Sequence, residues 1–277
     1  MYSSVCWADW TEQFVTLFIG GVVIFFLGFV DDLIRLPALF RFIVQISTAL
    51  FVCSKGLLLS QFSIFNFELS MWVICTFTVL WIVGVINAFN LIDGLDGLAT
   101  GLVLISLIFI ASLSFLMGDL NIVFMVLVTI SASLSFLVFN FYPAKLFLGD
   151  CGATFLGYLV AIFSLVGFMG SASIMGSLWI GMLFVVIPVF DVCLTVIRRL
   201  RSRQRMFSPD KQHIHHLLLS KGFSQRYAVL LLYSIHFLLG LVGLGIVFEW
   251  RLTLIYALFL TILLGIRKKR RLRKFFF

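Results

Sequence analysis

The segment LIDGLDGLAT, from Leu91 to Thr100, sets two carboxylates three positions apart between long apolar stretches. Asp31-Asp32 and Asp150 stand at similar apolar borders. A carboxylate at the edge of hydrocarbon is costly unless it is paired, hydrated or metal-bound, so the pattern points to a cation site at a membrane face. Asn87, Asn90, Asp93 and Asp96 recur at three-residue spacing, which on a helix keeps them near one face. Gly94 and Gly97 interrupt that helix where backbone could approach a ligand. Asp31 and Asp32 repel each other unless a cation or basic group lies near, which suits a proton acceptor or a phosphate-and-metal site. The plainer alternative is a hydrated connector with a capping Asp. In FLGDCG, Phe147 to Gly152, Asp150 is expected just before a helix, as an N-cap or a metal ligand.

A polar insertion over residues 197–226 contains RRLRSRQRMFSPDKQHIHHLLL. Arg198, Arg199, Arg201, Arg203 and Arg205 could hold a multiply charged phosphate donor, or anchor the chain to the membrane surface. Ser208-Pro209-Asp210 reads as a helix start, placing His213, His215 and His216 in the first turns near a dipole end that favours anions. A zinc site at the histidines lacks a completing Cys or second His group. His236, inside an apolar stretch, reads as a hydrogen-bonded interior residue.

The elements that must position these groups are helices in a bilayer. The chain is 62% hydrophobic and 12% charged, with mean hydropathy +1.17, against about 45 to 50% apolar in soluble domains. Nine stretches could cross the membrane, at roughly residues 13–30, 39–59, 69–89, 98–117, 121–141, 154–171, 175–196, 227–247 and 251–266. The expectation is an all-α, polytopic membrane helix bundle forming one domain over 1–277, with an Arg/His arm at 197–226 and a basic tail at 267–277. The first stretch follows Asp9 and Glu12, without Lys, Arg or a small-residue cleavage site, so it does not read as a signal peptide. Cys6, Cys53, Cys75, Cys151 and Cys193 lack CxxC spacing and are expected to form no disulfide and hold no metal.

The net charge of +8 is distributed by loop parity. One side collects Arg35, Lys145, the arginine run, Lys211, Lys221, Arg226 and the tail RKKRRLRK, whereas the other receives Arg251 and Lys55. The positive-inside rule makes the first side cytoplasmic, with the N-terminus outside and the C-terminus inside. The tail then meets anionic lipid headgroups rather than nucleic acid. Asp31, Asp32, Asp93, Asp96, Asp150, Asp191 and Asp210 fall on that same side, while Asp9, Glu12, Glu68, Asp119 and Glu249 read as solvated charges outside.

Carboxylates, amides, a glycine loop and an Arg/His arm on one membrane face suit phosphoryl transfer with a divalent metal, one substrate being a lipid. A cation-coupled transporter would place acids at mid-span within an inverted repeat, a pattern not evident here. An inactive scaffold for polysaccharide assembly is the third reading.

The ordered motifs GFVDDLIRLPA, INAFNLIDGLDGLATG, FLGDCGATFLG, the PVFD stretch ending at Asp191, and FSPDKQHIHHLLLSKGF resemble the polyprenyl-phosphate N-acetylhexosamine-1-phosphate transferases, the MraY/WecA-like family. SPDKQHIHH is more similar to the N-acetylglucosamine branch. The resemblance implies transfer of N-acetylglucosamine 1-phosphate from its UDP-sugar to undecaprenyl phosphate in a bacterial inner membrane. UMP release would start O-antigen or a related polymer. It implies Mg²⁺, or Mn²⁺, held by Asp150 and Asn90, with Asp93 an acid near the metal. Asp31 and Asp32 resemble the lipid-phosphate site, one a proposed base. A lipid phosphate with a second pKa of about 6 is already mostly ionised at neutral pH, so Asp32 is expected to position or share charge. Asp96 and Phe147 match uracil contacts, Phe147 by stacking. His213, His215 and His216 match the sugar-diphosphate motif, with Arg198 and Arg199 as further phosphate contacts. The resemblance leaves a homodimer open. Relatives usually carry two more spans before the paired aspartates, whereas only 30 residues precede Asp31 here, which leads to an expectation of weak or absent activity for the 277-residue chain.

Overall fold

The computed structural model describes residues 7–58, 63–64, 67–68, 70–167, 177–202 and 213–248. It is helical: α1 (Trp7–Ile34), α2 (Ala38–Ser54), α3 (Met71–Ile92), α4 (Leu98–Leu116), α5 (Leu120–Asn140), α6 (Gly149–Gly167), α7 (Ser177–Phe184), α8 (Val186–Arg201), α9 (Ile214–Ser220) and α10 (Gln225–Phe248). Two-residue strands, Ser63–Ile64 and Phe67–Glu68, pair antiparallel between α2 and α3. Hydrocarbon offers the backbone no hydrogen-bond partner, so apolar segments of this length satisfy themselves as helices.

Among the described residues, six helices are long and apolar enough to cross a membrane (α1, α3, α4, α5, α6 and α10), and α2 is a shorter apolar helix. The expected span at 175–196 is instead broken: α7 ends at Phe184, Val185 leaves helical geometry, and α8 begins at Val186. The Phe184 carbonyl accepts from Ser106 Oγ on α4 at 2.6 Å, and that hydroxyl also meets His236 Nε2 at 3.0 Å. His236 is fully buried, matching its expected interior role. The expected span at 251–266 and the basic tail lie outside the described residues.

The core runs through Ile24, Ile82, Ile86, Phe89, Ile92, Leu98, Leu102, Leu107, Ile110 and Tyr158. α4 is the most buried span and α5 the least, so α5 presents most of its length outward. α6 packs along both α1 and α3. Without a hydrophobic drive between helices in lipid, small residues that admit close packing matter most. At Gly28 an added Cβ would lie 2.5 Å from Cys151 Cα and 2.8 Å from the Asp150 carbonyl oxygen.

Polar pairs tie the helices at depth. Trp81 Nε1 donates to Ser164 Oγ at 3.1 Å. Asn87 Nδ2 donates to Gln45 Oε1 at 2.6 Å, so this first rung of the amide-carboxylate ladder joins α3 to α2 rather than serving the site. Cys53, Cys75, Cys151 and Cys193 are free thiols.

Candidate functional site at the helix ends

The α1–α2 corner holds the paired aspartates. α1 runs on to Ile34, so Asp31 and Asp32 lie in its last turns rather than beyond it, and Pro37 sits at the N-cap of α2. Arg35, at φ +51°, turns the chain out of the helix while its N–H donates to the Asp31 carbonyl at 2.9 Å. Asp31 is buried, and both its carboxylate oxygens are engaged. Oδ1 accepts from Leu36 N at 2.7 Å and Oδ2 from Arg41 at 2.5 Å. Arg41 therefore supplies the basic group that adjacent acids require, and its guanidinium also lies 3.9 Å from Asp150 Oδ2.

Asp32 caps a different helix. Its Oδ1 accepts from Asp150 N at 2.8 Å and its Oδ2 from Cys151 N at 3.0 Å, satisfying two N–H groups at the start of α6. Asp150 is consequently inside the first turn of α6, not ahead of it as expected, because the cap comes from α1. Gly149, at φ +68°, makes the turn; a Cβ there would press on Asp32 Oδ2 at 2.8 Å. Asp32→Ala should leave both N–H groups without their acceptor and lower stability by about 1 to 2 kcal/mol. Thermal unfolding in detergent checks this; an unchanged midpoint would contradict the capping role.

α3 ends at Ile92 with Asp93 at its C-cap, one turn after the half-buried Asn90. Burial, then the nearby Asp150 and Asp96 carboxylates, push the Asp93 carboxyl up to about 7. Asp96 Oδ2 accepts from Ala144 N at 3.0 Å, which fastens the segment between α5 and α6. Asn140 Nδ2 holds the Leu146 carbonyl at 2.9 Å, and Thr100 donates to Asn140 Oδ1 at 3.0 Å. Next in that segment, Phe147 is 78% exposed, a ring open to stacking.

The histidine motif reaches the same turn. α9 begins at Ile214 with His213 as its N-cap, so His215 and His216 stand in its first turn; the expected start at Ser208-Pro209-Asp210, with Arg203, Arg205 and Lys211, lies outside the described residues. That start is fastened by Asp191, a buried α8 carboxylate that accepts from His213 Nδ1 at 2.7 Å and Ile214 N at 2.8 Å. The His213 and His215 rings stack nearly parallel, with centroids 5.7 Å apart, and His216 tilts against His215 at 4.3 Å. His215 is buried against Gly94: a Cβ at that glycine would stand 2.3 Å from its Nε2.

Burial, with the neighbouring His216 and His213, lowers the His215 pKa to about 4 from an ordinary 6.5. Between those values the unfolded chain binds the extra proton, so stability should fall as pH drops from 6.5 towards 4 and gain nothing from this group above 6.5. Detergent melting curves at pH 7 and pH 5 should therefore separate for the wild type and less so for His215→Gln. An equal separation in both proteins would remove His215 as the cause.

Asp31, Asp32, Asp93, Asp96, Asp150 and the histidines thus occupy one contiguous region, with Asn90 a turn away on α3 and Phe147 on the attached segment. Arg198 and Arg199 sit in the last turn of α8, two turns beyond Asp191, and the geometry links them to the region through Asp191 and His213. Arg198 donates to Thr195 Oγ1 at 3.1 Å. Arg41 was not among the sequence-derived candidates, and Asp191 entered only through the PVFD motif and the acids of one membrane side, with no site role. A charge within an apolar stretch, 175–196 for Asp191 and 39–59 for Arg41, marks both, but the partners of Arg41 come from the fold of the α1–α2 corner.

Among the described residues, no three His, Cys, Asp or Glu side chains form a cation cage. The donor set suits Mg²⁺ nonetheless, since that ion is usually held by one or two carboxylates together with substrate phosphates and water. Burial is the larger cause of the raised Asp93 pKa, and the repulsion from Asp150 and Asp96 that adds to it is the field such a cation would relieve.

A family model described as "Glycosyl transferase family 4" matches residues 14–168. The "Probable undecaprenyl-phosphate N-acetylglucosaminyl 1-phosphate transferase" of Bacillus subtilis (strain 168) is 42% identical over 237 residues, covering 84% of this chain and 66% of that protein. The "Decaprenyl-phosphate N-acetylglucosaminephosphotransferase" of Mycobacterium tuberculosis (strain ATCC 25618 / H37Rv) is 32% identical over 240 residues, 78% of this chain and 59% of the relative. The "Undecaprenyl-phosphate alpha-N-acetylglucosaminyl 1-phosphate transferase" of Escherichia coli (strain K12) is 31% identical over 260 residues, 88% and 70% of the two. The chain thus spans 59% to 70% of the length of these relatives. With its motif segments folded onto one region and the family model matching more than half its length, the chain belongs to glycosyl transferase family 4.

Proposed function

We propose that this protein transfers N-acetylglucosamine 1-phosphate from UDP-N-acetylglucosamine to undecaprenyl phosphate, or a similar polyprenyl phosphate, and releases UMP. The setting is the cytoplasmic face of a bacterial plasma membrane, as an opening step of O-antigen or a related surface polymer. The observation that carries this reading is the convergence of Asp32, Asp93 and Asp150, from three separate segments, with Arg41 and the histidine motif. The names of the relatives support a polyprenyl-phosphate acceptor and an N-acetylglucosamine donor. Asp31, Asp32, Asp93 and Asp150 stand at helix ends, which favours interfacial chemistry over a cation pathway.

In this reading an oxygen of the lipid phosphate attacks the β-phosphorus of the donor. The bond from that phosphorus to the bridging oxygen breaks, UMP carries the oxygen away, and the sugar C1–O bond stays intact. Asp150 and Asn90 would hold Mg²⁺, which when bound neutralises the diphosphate. Asp31 fixes Arg41, whose guanidinium then stands as a permanent positive charge beside Asp150. Asp32 sets the start of α6 and needs no role as a base, because the attacking phosphate is already ionised. Asp96 fastens the segment that carries Phe147, leaving that ring to stack on uracil. His213, His215 and His216, with Arg198 and Arg199, serve the sugar diphosphate.

The test uses the 277-residue chain in nanodiscs with undecaprenyl phosphate and radiolabelled UDP-N-acetylglucosamine. Donor binding should require Mg²⁺, as should UMP release and labelled lipid, which are expected at a low rate from this chain. A chain that neither binds the donor with Mg²⁺ nor releases UMP would defeat the proposal.

A further inference from the structure

Asp191 is only 2% exposed, in the middle of a helix that is otherwise apolar up to its basic last turn. A carboxylate there is costly unless both oxygens find donors. They do, on the far side of the 203–212 segment: Oδ1 takes the Ile214 N–H at 2.8 Å and Oδ2 takes His213 Nδ1 at 2.7 Å. Capping a short helix needs only the first of these bonds. The second falls on the leading histidine of the motif that lies over the Asp93–Asp96 turn.

Resting on the transferase reading above, we infer that Asp191 is a positioning residue: it fixes the His213 ring and its tautomer, with the proton on Nδ1, so that Nε2 is the ring atom offered to the nucleotide-sugar. An ionised carboxylate can only accept, so Nδ1 must donate, and in the neutral ring the lone pair is left on Nε2, where it can accept from a hydroxyl or amide N–H of the sugar but not from the diphosphate oxygens. The ring cannot rotate without losing that bond and its stacking on His215. Through the same carboxylate, α8 and its terminal arginines are held in register with α9. Asp191 itself touches no substrate.

Asp191→Asn separates this role from simple capping. The amide oxygen can keep the Ile214 bond, but its NH₂ then faces His213 Nδ1, which must become an acceptor and send the proton to Nε2. The measurement is ring ¹⁵N NMR of the full chain labelled at its four histidines, with His213 assigned through His213→Gln, under conditions where the ring is neutral. The wild type should show the proton on Nδ1 and Asp191→Asn should show it on Nε2. UMP release by the variant should fall about 10²-fold, the scale of a misplacement of about 1 Å at a reacting site, with the donor KM changed less than about threefold. In a His213→Gln background Asp191→Asn should cost little more, because its effect passes through that ring.

A wild-type ring protonated on Nε2 overturns the inference, and that spectrum needs no variant to fold. An Asp191→Asn loss of turnover without a tautomer change, or the same fold loss in the His213→Gln background, also overturns it. A wild type that shows the Nδ1 signature but never releases UMP sinks the transferase reading and leaves the positioning role standing.

Discussion

Asp150→Asn should reduce Mg²⁺-dependent UMP release by about 10²- to 10³-fold, the usual scale for losing one preorganised electrostatic contact to developing charge. The substitution is clean because α6 is capped through the Asp150 backbone N–H, which still donates to Asp32, so the helix start should stay in place. What disappears is a half-exposed carboxylate 3.9 Å from Arg41 and close enough to Asp93 to raise its pKa. A second readout follows from that coupling: with one like charge removed, the Asp93 carboxyl should titrate below its wild-type value of about 7, visible as an earlier shift of its infrared band. Unchanged turnover in Asp150→Asn would remove this residue from the proposed Mg²⁺ ligands. A fall in turnover with the Asp93 band unmoved would show that the two acids do not share a field.

Gly28→Ala should be nearly as damaging, although it adds only one methyl and removes no polar group. That methyl would sit 2.5 Å from Cys151 Cα, 2.7 Å from Thr154 Oγ1 and 2.8 Å from the Asp150 carbonyl, and two of these three are backbone. No rotamer change relieves a backbone clash, so α1 and α6 must separate. Asp32 then loses its grip on α6, and Arg41 moves away from Asp150. Overpacking of this kind costs about 1 to 3 kcal/mol of stability, and a misplacement of about 1 Å at a site of this type costs roughly 100-fold in rate. Gly84→Ala on α3 is the matched control, since a Cβ there meets nothing within 4 Å. Equal melting points and equal UMP release for the two variants would show that the α1–α6 approach does not set the site geometry.

Both predictions depend on contacts between residues far apart in the chain. Asp32 and the Asp150 N–H it accepts are separated by 118 positions, and Trp81 reaches Ser164 across 83. Neither spacing carries a local pattern. Asn87 shows the opposite failure, a regular ladder position whose side chain was drawn off to Gln45 on α2. The break at Val185 escaped hydropathy because both halves are apolar, and the start of α9 after His213 is fixed by a buried acid on another helix that accepts from its first N–H.

The amino-acid order by itself determined that the chain is a helical membrane bundle, where most spans begin and end, and that acids, amides and histidines cluster at their borders. It could do so because hydrocarbon forces each apolar segment to satisfy its own backbone, and because charge is excluded from span centres. Tertiary structure alone decided which side chains are tools and which are fastenings: Asp32 as the cap of α6, Arg41 between two acids, Asp191 behind His213. Those assignments depend on hydrogen bonds within about 3 Å, and only helix packing fixes positions that finely.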